Sequence, residues 1–420
     1  MSTATAPERG VRSLYLCYLG LDDPLVHSQV VAYIAGLSAR THIVHLVTFE
    51  QGRLSRRRRA RLREQMASQG ISWHGLRYHK RPSLPATVYD VIRGALLAAY
   101  LLRRHRLGVL HARSHIPAAM ALIASRFVTF RLLFDIRGLM AEEYVDAGNW
   151  REGSLPFRLI KAVERQAIER ADAVVVLTER ARRLLFAGDD GRVAVIPCCV
   201  DVDQVLEPTD ARGRLREQLG LGHQPVLIYV GKFSGWYLQR EMVEFFARAR
   251  HVMPDLHFLV LTQSDPSIVL AEFERFDIPR GARTITQVEH QDVAAYLAVA
   301  DAAIAFIRPC YSKLSSSPTK IGEYLASGLP IVTGPGIGDV DRLLADYDTG
   351  VVLESFEPES LDEGIRRLRA RMAESGHADR CRRAAVERLS LDHVGVPRYD
   401  ALYRALATAA GRDATRRACC

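Results

Sequence analysis

Several features that would name a function outright are missing from this chain. Its seven cysteines form no CxxC pair and their number is odd, so neither a zinc-finger spacing nor a paired disulfide framework is present. Residues 1–10 lack the basic–apolar–small pattern of a secretory signal; reduced thiols and a cytoplasmic location are expected. Cys419-Cys420 do not form a CaaX box, and a frayed tail is the expectation. The longest apolar runs, such as residues 95–102, fall short of the roughly 20 residues a membrane span needs. No basic zipper or aromatic RNA-binding motif appears, which argues against a nucleic-acid partner. No GxGxxG follows the first strand-like run, so the dinucleotide fingerprint is absent.

What is there describes a globular protein of two or three domains. The 420 residues suffice for more than one core, and 48% apolar with 25% charged residues is an ordinary soluble composition. Basic residues outnumber acidic ones, 57 to 48, giving a net charge of +9, so anionic partners fit.

The run SLYLCYL (13–19) reads as a strand ending at Gly20, followed by a loop, a helix from Val26 to Leu37 and a second strand at 43–49. Strand, loop, helix, strand opens a doubly wound parallel sheet, and Gly20 stands where such sheets place ligands. A very basic helix covers 51–70, an amphipathic one Tyr89 to His105. Further strands fall at 108–111, 131–135, 173–177 and 193–197. Residues 202–223 are polar and irregular, a linker. A second strand–helix series begins at Pro225, and an amphipathic helix from Val394 to Ala407 closes it.

The most informative stretch is SSSPTKIGEYLASGLPIV (315–332): a loop, a short helix and a buried strand. Ser317 can cap the helix, and Pro318 suits its first position, where no N–H is lost. Ile321, Tyr324 and Leu325 form one apolar face, with Lys320 and Glu323 on another. Gly328 ends the helix and Pro330 keeps it from resuming. The result is a helix N-terminus with free N–H groups, a cation in its first turn and a carboxylate one turn on. A nucleotide diphosphate and its ribose would fill that arrangement. The same residues would also make a well-capped core helix with a solvated Lys–Glu pair.

This stretch resembles the carboxy-terminal donor site of family 4 glycosyltransferases. Outside that site stand Pro24-Leu25, Ser28-Gln29-Val30, Thr48-Phe49-Glu50, His111-Ala112-Arg113-Ser114, Asp135-Ile136-Arg137-Gly138, Leu177-Thr178-Glu179 and the hinge Ile196-Pro197-Cys198-Cys199-Val200-Asp201. These are similar to a branch associated with surface polysaccharide synthesis. The resemblance implies an α/β GT-B fold: two Rossmann-like, doubly wound domains facing a central cleft, with the C-terminal helix crossing back to the first. The expected boundaries are 1–203, 204–391 and 392–420. It implies retaining transfer from a nucleotide sugar, without metal or cofactor, to a lipid-linked or small-molecule glycan. A sugar-nucleotide epimerase and a non-catalytic nucleotide-sugar-binding protein are the alternatives. Ser315 departs from the pattern: many relatives carry there a glutamate that touches the donor sugar.

By the same resemblance, the donor is held by Gly20, Gly231, Lys232, Arg240, Ser316, Ser317, Pro318, Thr319, Lys320 and Glu323, with Glu323 on the ribose. Gly231 lets backbone approach a phosphate and Lys232 supplies a charge. Arg113, His115 and Arg137 follow strand ends in the first domain and are the expected catalytic residues, His115 against the transferring sugar. Asp201-Val202-Asp203 and Asp339-Val340-Asp341 read as capping residues, with no metal cluster implied, and 334–338 as a tight glycine turn. Arg56-Arg57-Arg58-Arg59, Arg61 and Arg63 wrap the basic helix in charge. They make an anionic membrane surface a candidate partner, with 95–102 and Arg103-Arg104 as its apolar part.

Overall fold

The structure, a computed structural model, describes residues 10–81, 83–188, 190–203 and 210–418. Residues 1–9, 204–209 of the expected linker, and Cys419-Cys420 lie outside those described. The chain divides into two compact units. One holds Met1–Leu177, Arg182–Ile196 and Gly395–Cys420; the other holds Thr178–Ala181 and Pro197–Val394.

The first unit is built on seven strands: β1 (Arg12–Cys17), β2 (Ile43–Glu50), β3 (Ile71–Arg77), β4 (Val109–Arg113), β5 (Arg131–Ile136), β6 (Ala173–Val176) and β7 (Val193–Val195). They pair in the order β3-β2-β1-β4-β5-β6-β7, all parallel. Near-continuous apolar strands are what a parallel sheet covered on both faces requires. The order reverses between β1 and β4, so right-handed crossovers set the Arg56–Ser68 helix on one face and the Ser83–His105 helix on the other.

The second unit carries β8 (Val226–Val230), β9 (His257–Leu261), β10 (Arg283–Thr286), β11 (Ala302–Ala305), β12 (Ile331–Thr333) and β13 (Gly350–Val352). Their order, β10-β9-β8-β11-β12-β13, is again parallel and reverses between β8 and β11. One face of this sheet packs on Ile321, Tyr324 and Leu325, the other on Phe245, Phe246 and Phe273.

Local structure departs from the sequence reading in four places. The irregular segment expected at 202–223 contains a helix, Asp210–Gln218. The first helix is capped by Asp23, which accepts from the Leu25 N–H at 2.9 Å. It then passes through a π turn over His27–Val31 before resuming at Ala32–Ala39. The apolar helix begins at Ser83 rather than Tyr89. The last helix, Val396–Ala418, packs on β4, β5 and the Ala32–Ala39 helix of the first unit. Tyr399 and Tyr403 of this helix are buried there. No disulfide joins the five described cysteines.

Candidate functional site

The order reversal between β8 and β11 splays apart the loops after these two strands, and open parallel sheets bind ligands in that crevice. Gly231 ends β8 with φ 130°, a conformation that L side chains rarely adopt. A Cβ there would stand 2.8 Å from Lys320 Nζ. Gly231 and Lys320, far apart in sequence, therefore meet.

Tertiary contacts fix the loop after Gly231. The Gly231 N–H donates to Leu261 O at 2.9 Å and the Phe233 N–H to Ser264 Oγ at 2.9 Å. Tyr237 forms an antiparallel bridge with Ile307, and the Arg308 N–H donates to Trp236 O at 2.8 Å. Tyr324 Oη accepts from the Val230 N–H at 2.9 Å, which ties the Thr319–Ala326 helix to β8.

Lys320 is 8% exposed, not solvated. Its Nζ lies 3.8 Å from the Tyr237 ring centroid and 4.3 Å from that of Tyr229, and donates to Tyr229 Oη at 3.2 Å. Burial drives its pKa down to about 7, and Glu323 only partly opposes this. Lys313 stacks over Trp236 at 4.0 Å and Arg308 over the same ring at 5.1 Å. Sequence reasoning did not single out Tyr229, Trp236, Tyr237, Arg308 or Lys313. Aromatics at a strand end carry no local mark of the cations they receive.

The Thr319–Ala326 helix starts one residue later than expected. Pro318 is its N-cap, and no side chain caps it. Ser317 is not the cap, because its Oγ accepts instead from the Cys198 N–H at 3.1 Å. Ser316, Ser317, Pro318 and Thr319 are half-buried around an N-terminus whose N-cap, Pro318, offers no side-chain acceptor. Ser315 is buried, its Oγ donating to Ser312 O at 2.8 Å. Glu323 is half-buried one turn in; Lys232 and Arg240 are exposed, Arg240 in the first turn of the Gln239–Val252 helix.

Asp339 does not cap its own helix. Its carboxylate accepts from the Glu179 and Arg180 N–H groups at 2.6 and 3.2 Å, while Asp341 pairs with Arg180 at 3.1 Å and accepts from the Gly336 N–H. Asp201 accepts from the Asp203 N–H at 3.1 Å. Asp201, Asp203 and Asp392 bring carboxylate oxygens within 4.8 Å of one another, a mostly exposed cluster the spacing did not foretell.

In the first unit, the expected catalytic residues are drawn inward. His115 is 0% exposed, bonded through Nε2 to Glu164 at 2.9 Å and set edge-on against Phe134. The ring thus packs between two helices, against Glu164 and Phe134. Arg113 is buried with its Nε lacking a partner. Arg137 pairs with Asp135 at 3.6 Å and donates to Gln29 Oε1 at 3.2 Å; Gln29 is turned inward from the π turn. Asp135 also accepts from Tyr399 at 3.1 Å and lies 3.4 Å from His111. Burial alone would raise its pKa, but Arg137, His111 and Arg113 outweigh it and hold the carboxyl below its usual range. Gly20 has a packing reason: a Cβ would meet Glu50 Oε2 at 2.9 Å. That buried carboxylate accepts from the Leu21 N–H and braces the loop.

Two parallel-sheet units, each with an order reversal, and a C-terminal helix that packs back on the first are the architecture of the GT-B fold. The Glycosyltransferase Family 4 model matches residues 26–204, and the model of Glycosyl transferases group 1 matches 224–371. The first half of the chain thus resembles the family 4 glycosyltransferases and the second half the group 1 glycosyl transferases.

It is 27% identical over 216 residues to a GDP-mannose-dependent alpha-(1-6)-phosphatidylinositol monomannoside mannosyltransferase of Mycolicibacterium smegmatis, covering 48% of this chain and 55% of the relative. It is 26% identical over 236 residues to an alpha-D-kanosaminyltransferase of Streptomyces kanamyceticus, covering 52% and 58%. The chain thus spans about half the length of these curated relatives. A glycosyltransferase from Rickettsia africae has a similar structure, with TM-score 0.73, 15% identity, and coverage of 95% of this chain and 99% of that one. HepE of Anabaena, solved in complex with UDP, has TM-score 0.69, 14% identity, and coverage of 93% and 99%. At these identities the likeness is one of fold.

Proposed function

We propose that this protein transfers a sugar from a nucleotide-diphosphate donor to a glycan acceptor, with retention of anomeric configuration and no obligatory metal. The observation that carries the reading is the junction of Gly231, Lys320 and the uncapped start of the Thr319–Ala326 helix. There the backbone, a helix dipole and a buried cation converge where a diphosphate would lie. Breaking the sugar–phosphate bond leaves charge on the diphosphate. Fixed donors and cations stabilise that charge at little reorganisation cost, which is the main catalytic task of such a site. Lys232 and Arg240 are the exposed cations on the same crossover, and Glu323 is placed to accept ribose hydroxyls. HepE, of like fold, was solved with UDP, which supports a nucleotide partner, and the curated relatives are a mannosyltransferase and a kanosaminyltransferase, which favours transfer over epimerisation or bare binding.

For the acceptor we favour a lipid-linked glycan at an anionic membrane face on the cytoplasmic side. Leu84, Val88, Tyr89, Ile92, Leu96 and Tyr100 are exposed along one side of the Ser83–His105 helix, which ends in Arg103 and Arg104. One curated relative acts on a phosphatidylinositol mannoside. Arg137 and Arg113 remain the candidates for steadying the acceptor or the diphosphate, with His115 a positioning residue.

The test is calorimetry with UDP, GDP and dTDP, followed by turnover with the matching sugar nucleotide in EDTA. Glu323→Ala and Lys232→Ala should each weaken the bound nucleotide by about ten- to a hundredfold, the worth of one charge-assisted bond. Turnover should persist in EDTA. Unchanged affinity in both variants would sink the donor assignment, and loss restored only by Mg²⁺ or Mn²⁺ would sink the metal-free one.

A further inference from the structure

Arg113 ends β4, at the point where the strand order of the first sheet reverses. Cys17, the last residue of β1, pairs beside it on one side and Asp135 of β5 on the other. Open parallel sheets bind ligands outside the carboxyl ends of the strands at such a reversal. Burial raises the pKa of both Tyr15 and Cys17 on β1, and the charge of Arg113 is the largest influence opposing it in each. The guanidinium therefore lies at the gap between β1 and β4.

Arg113 is 7% exposed. A guanidinium carries five N–H donors and no acceptor, yet no described residue accepts from this one, by hydrogen bond or ion pair. Its Nε is sealed in the interior and serves nothing outside. Neither Nη is sealed, so the fork of the side chain reaches the surface. The carboxylates at the ends of nearby strands are engaged elsewhere. Asp135 pairs with Arg137 at 3.6 Å and accepts from Tyr399 at 3.1 Å. Glu50, ending β2, accepts from the Leu21 N–H and the Thr48 hydroxyl. A cation buried without an anion is costly and is rarely kept unless something else claims it.

The next residue carries a second cost. Ser114 is held at φ 73°, ψ −179°, a region populated almost only by glycine. An unmatched buried charge and a strained backbone thus fall on consecutive residues at the end of one strand.

We propose that Arg113 binds a phosphate ester carried by the acceptor, in the crevice at the ends of β1 and β4, through the two Nη atoms of its fork. Two phosphate oxygens meet the fork, and the ester linkage carries the rest of the acceptor out of the crevice. The phosphate belongs either to a lipid headgroup or to a soluble sugar phosphate. The proposal deepens the transfer reading above and rests on it for which substrate bears the phosphate.

The experiment is calorimetry on the full chain with glucose 6-phosphate, glucuronate and glucose at constant ionic strength. Wild type should bind glucose 6-phosphate at least about tenfold more tightly than glucuronate or glucose. Arg113→Met should weaken it at least about tenfold, and Arg113→Lys, a point charge without the fork, should restore part of the loss. Met fills similar space without charge, so Arg113→Met should also raise the urea midpoint of the unliganded protein. An arginine kept for structure would lower it. Flotation with phosphatidylglycerol vesicles separates the two sources: weakened by Arg113→Met, the phosphate is a lipid's; unchanged, it is a soluble sugar phosphate's. No binding of glucose 6-phosphate by about 10 mM, no preference over glucuronate, affinity that Arg113→Met leaves unchanged, or a lowered midpoint each overturns the proposal. A Lys232→Ala/Glu323→Ala double variant should bind glucose 6-phosphate as wild type does; loss there alone puts the phosphate in the donor crevice and overturns it too. A wild type that binds no nucleotide yet holds glucose 6-phosphate through Arg113 sinks the transfer reading and leaves the phosphate site standing.

Discussion

Lys320 is the residue whose chemistry depends most on where the fold puts it. Its folded pKa is about 7, against an ordinary 10.5. Between those values the unfolded chain holds a proton that the folded chain has shed. Stability should therefore rise with pH from about 7 to 10.5, and the cost of burying the ammonium is fully carried below 7. A diphosphate beside Nζ favours the charged form, so nucleotide binding above pH 7 should draw in up to about one proton. Calorimetry at pH 8 in two buffers of different ionisation enthalpy measures this directly. Lys320→Met, which keeps the volume, should bind nucleotide more weakly, take up no proton and lose the pH slope. A wild type that binds without proton exchange contradicts the assignment of Lys320 to the diphosphate.

At the scale of elements, the Ser83–His105 helix shows what a hydropathy run leaves undetermined. Residues 95–102 read as one apolar block, yet Ala95, Ala98, Ala99, Leu101 and Leu102 are buried while Leu96 and Tyr100 are exposed. The outward stripe repeats every four residues from Leu84 to Tyr100, about 24 Å of helix. Among the described helices it is the one long and apolar enough to cross a bilayer, with mean hydropathy 1.2. Its inner face, however, is packed: Gly94 lies against Met120, and buried Asp90 holds His79 and Tyr18. It is thus packed into its unit along one face. The arginine-rich helix sits on the other face of the sheet, so the two do not form one patch. Ile92→Asn/Leu96→Asn should abolish flotation with anionic liposomes and leave nucleotide affinity intact, since each buried aliphatic is worth about 1.5–3 kcal/mol. Arg56–Arg59 changed to Ser should therefore leave flotation by the apolar helix unchanged, whereas Arg103→Ser/Arg104→Ser should weaken it, at about 1 kcal/mol per cation removed from the lipid surface. A wild-type protein that ignores such liposomes at low salt points to a soluble glycoside acceptor.

For the whole molecule, the returning helix completes the first unit. Tyr403 bonds His111 at 3.0 Å, Tyr399 bonds Asp135, and Asp400 meets His42 at 2.7 Å. The polar groups beneath β4 and β5 are thus partnered by residues nearly three hundred positions later in the chain. Tyr403→Ala should destabilise the fold by about 3–5 kcal/mol in urea unfolding, as for other large core truncations. Tyr403→Phe should cost about 1–3 kcal/mol, since it leaves His111 without that bond. Equal, negligible costs would mean that the helix is only draped over the unit.

Much of this architecture was legible in local pattern. Apolar strands alternating with amphipathic helices set the two parallel-sheet units. The spacing of Ile321, Tyr324 and Leu325 set the buried face of the donor-side helix, and all three are buried. Glycine at the end of β8 marked the close approach that Gly231 makes. These are short-range facts, because backbone sterics and the period of a helix or strand act within a few residues. What the chain could not declare is which distant group each polar side chain meets. Ser317 could cap its own helix but turns to Cys198. His115 could face a ligand but is sealed against Glu164. Lys320 could be solvated but lies on two tyrosines beneath Gly231, with its charge state altered. Those outcomes belong to the tertiary structure alone, because burial and partner choice are set by packing between segments that sequence spacing does not relate.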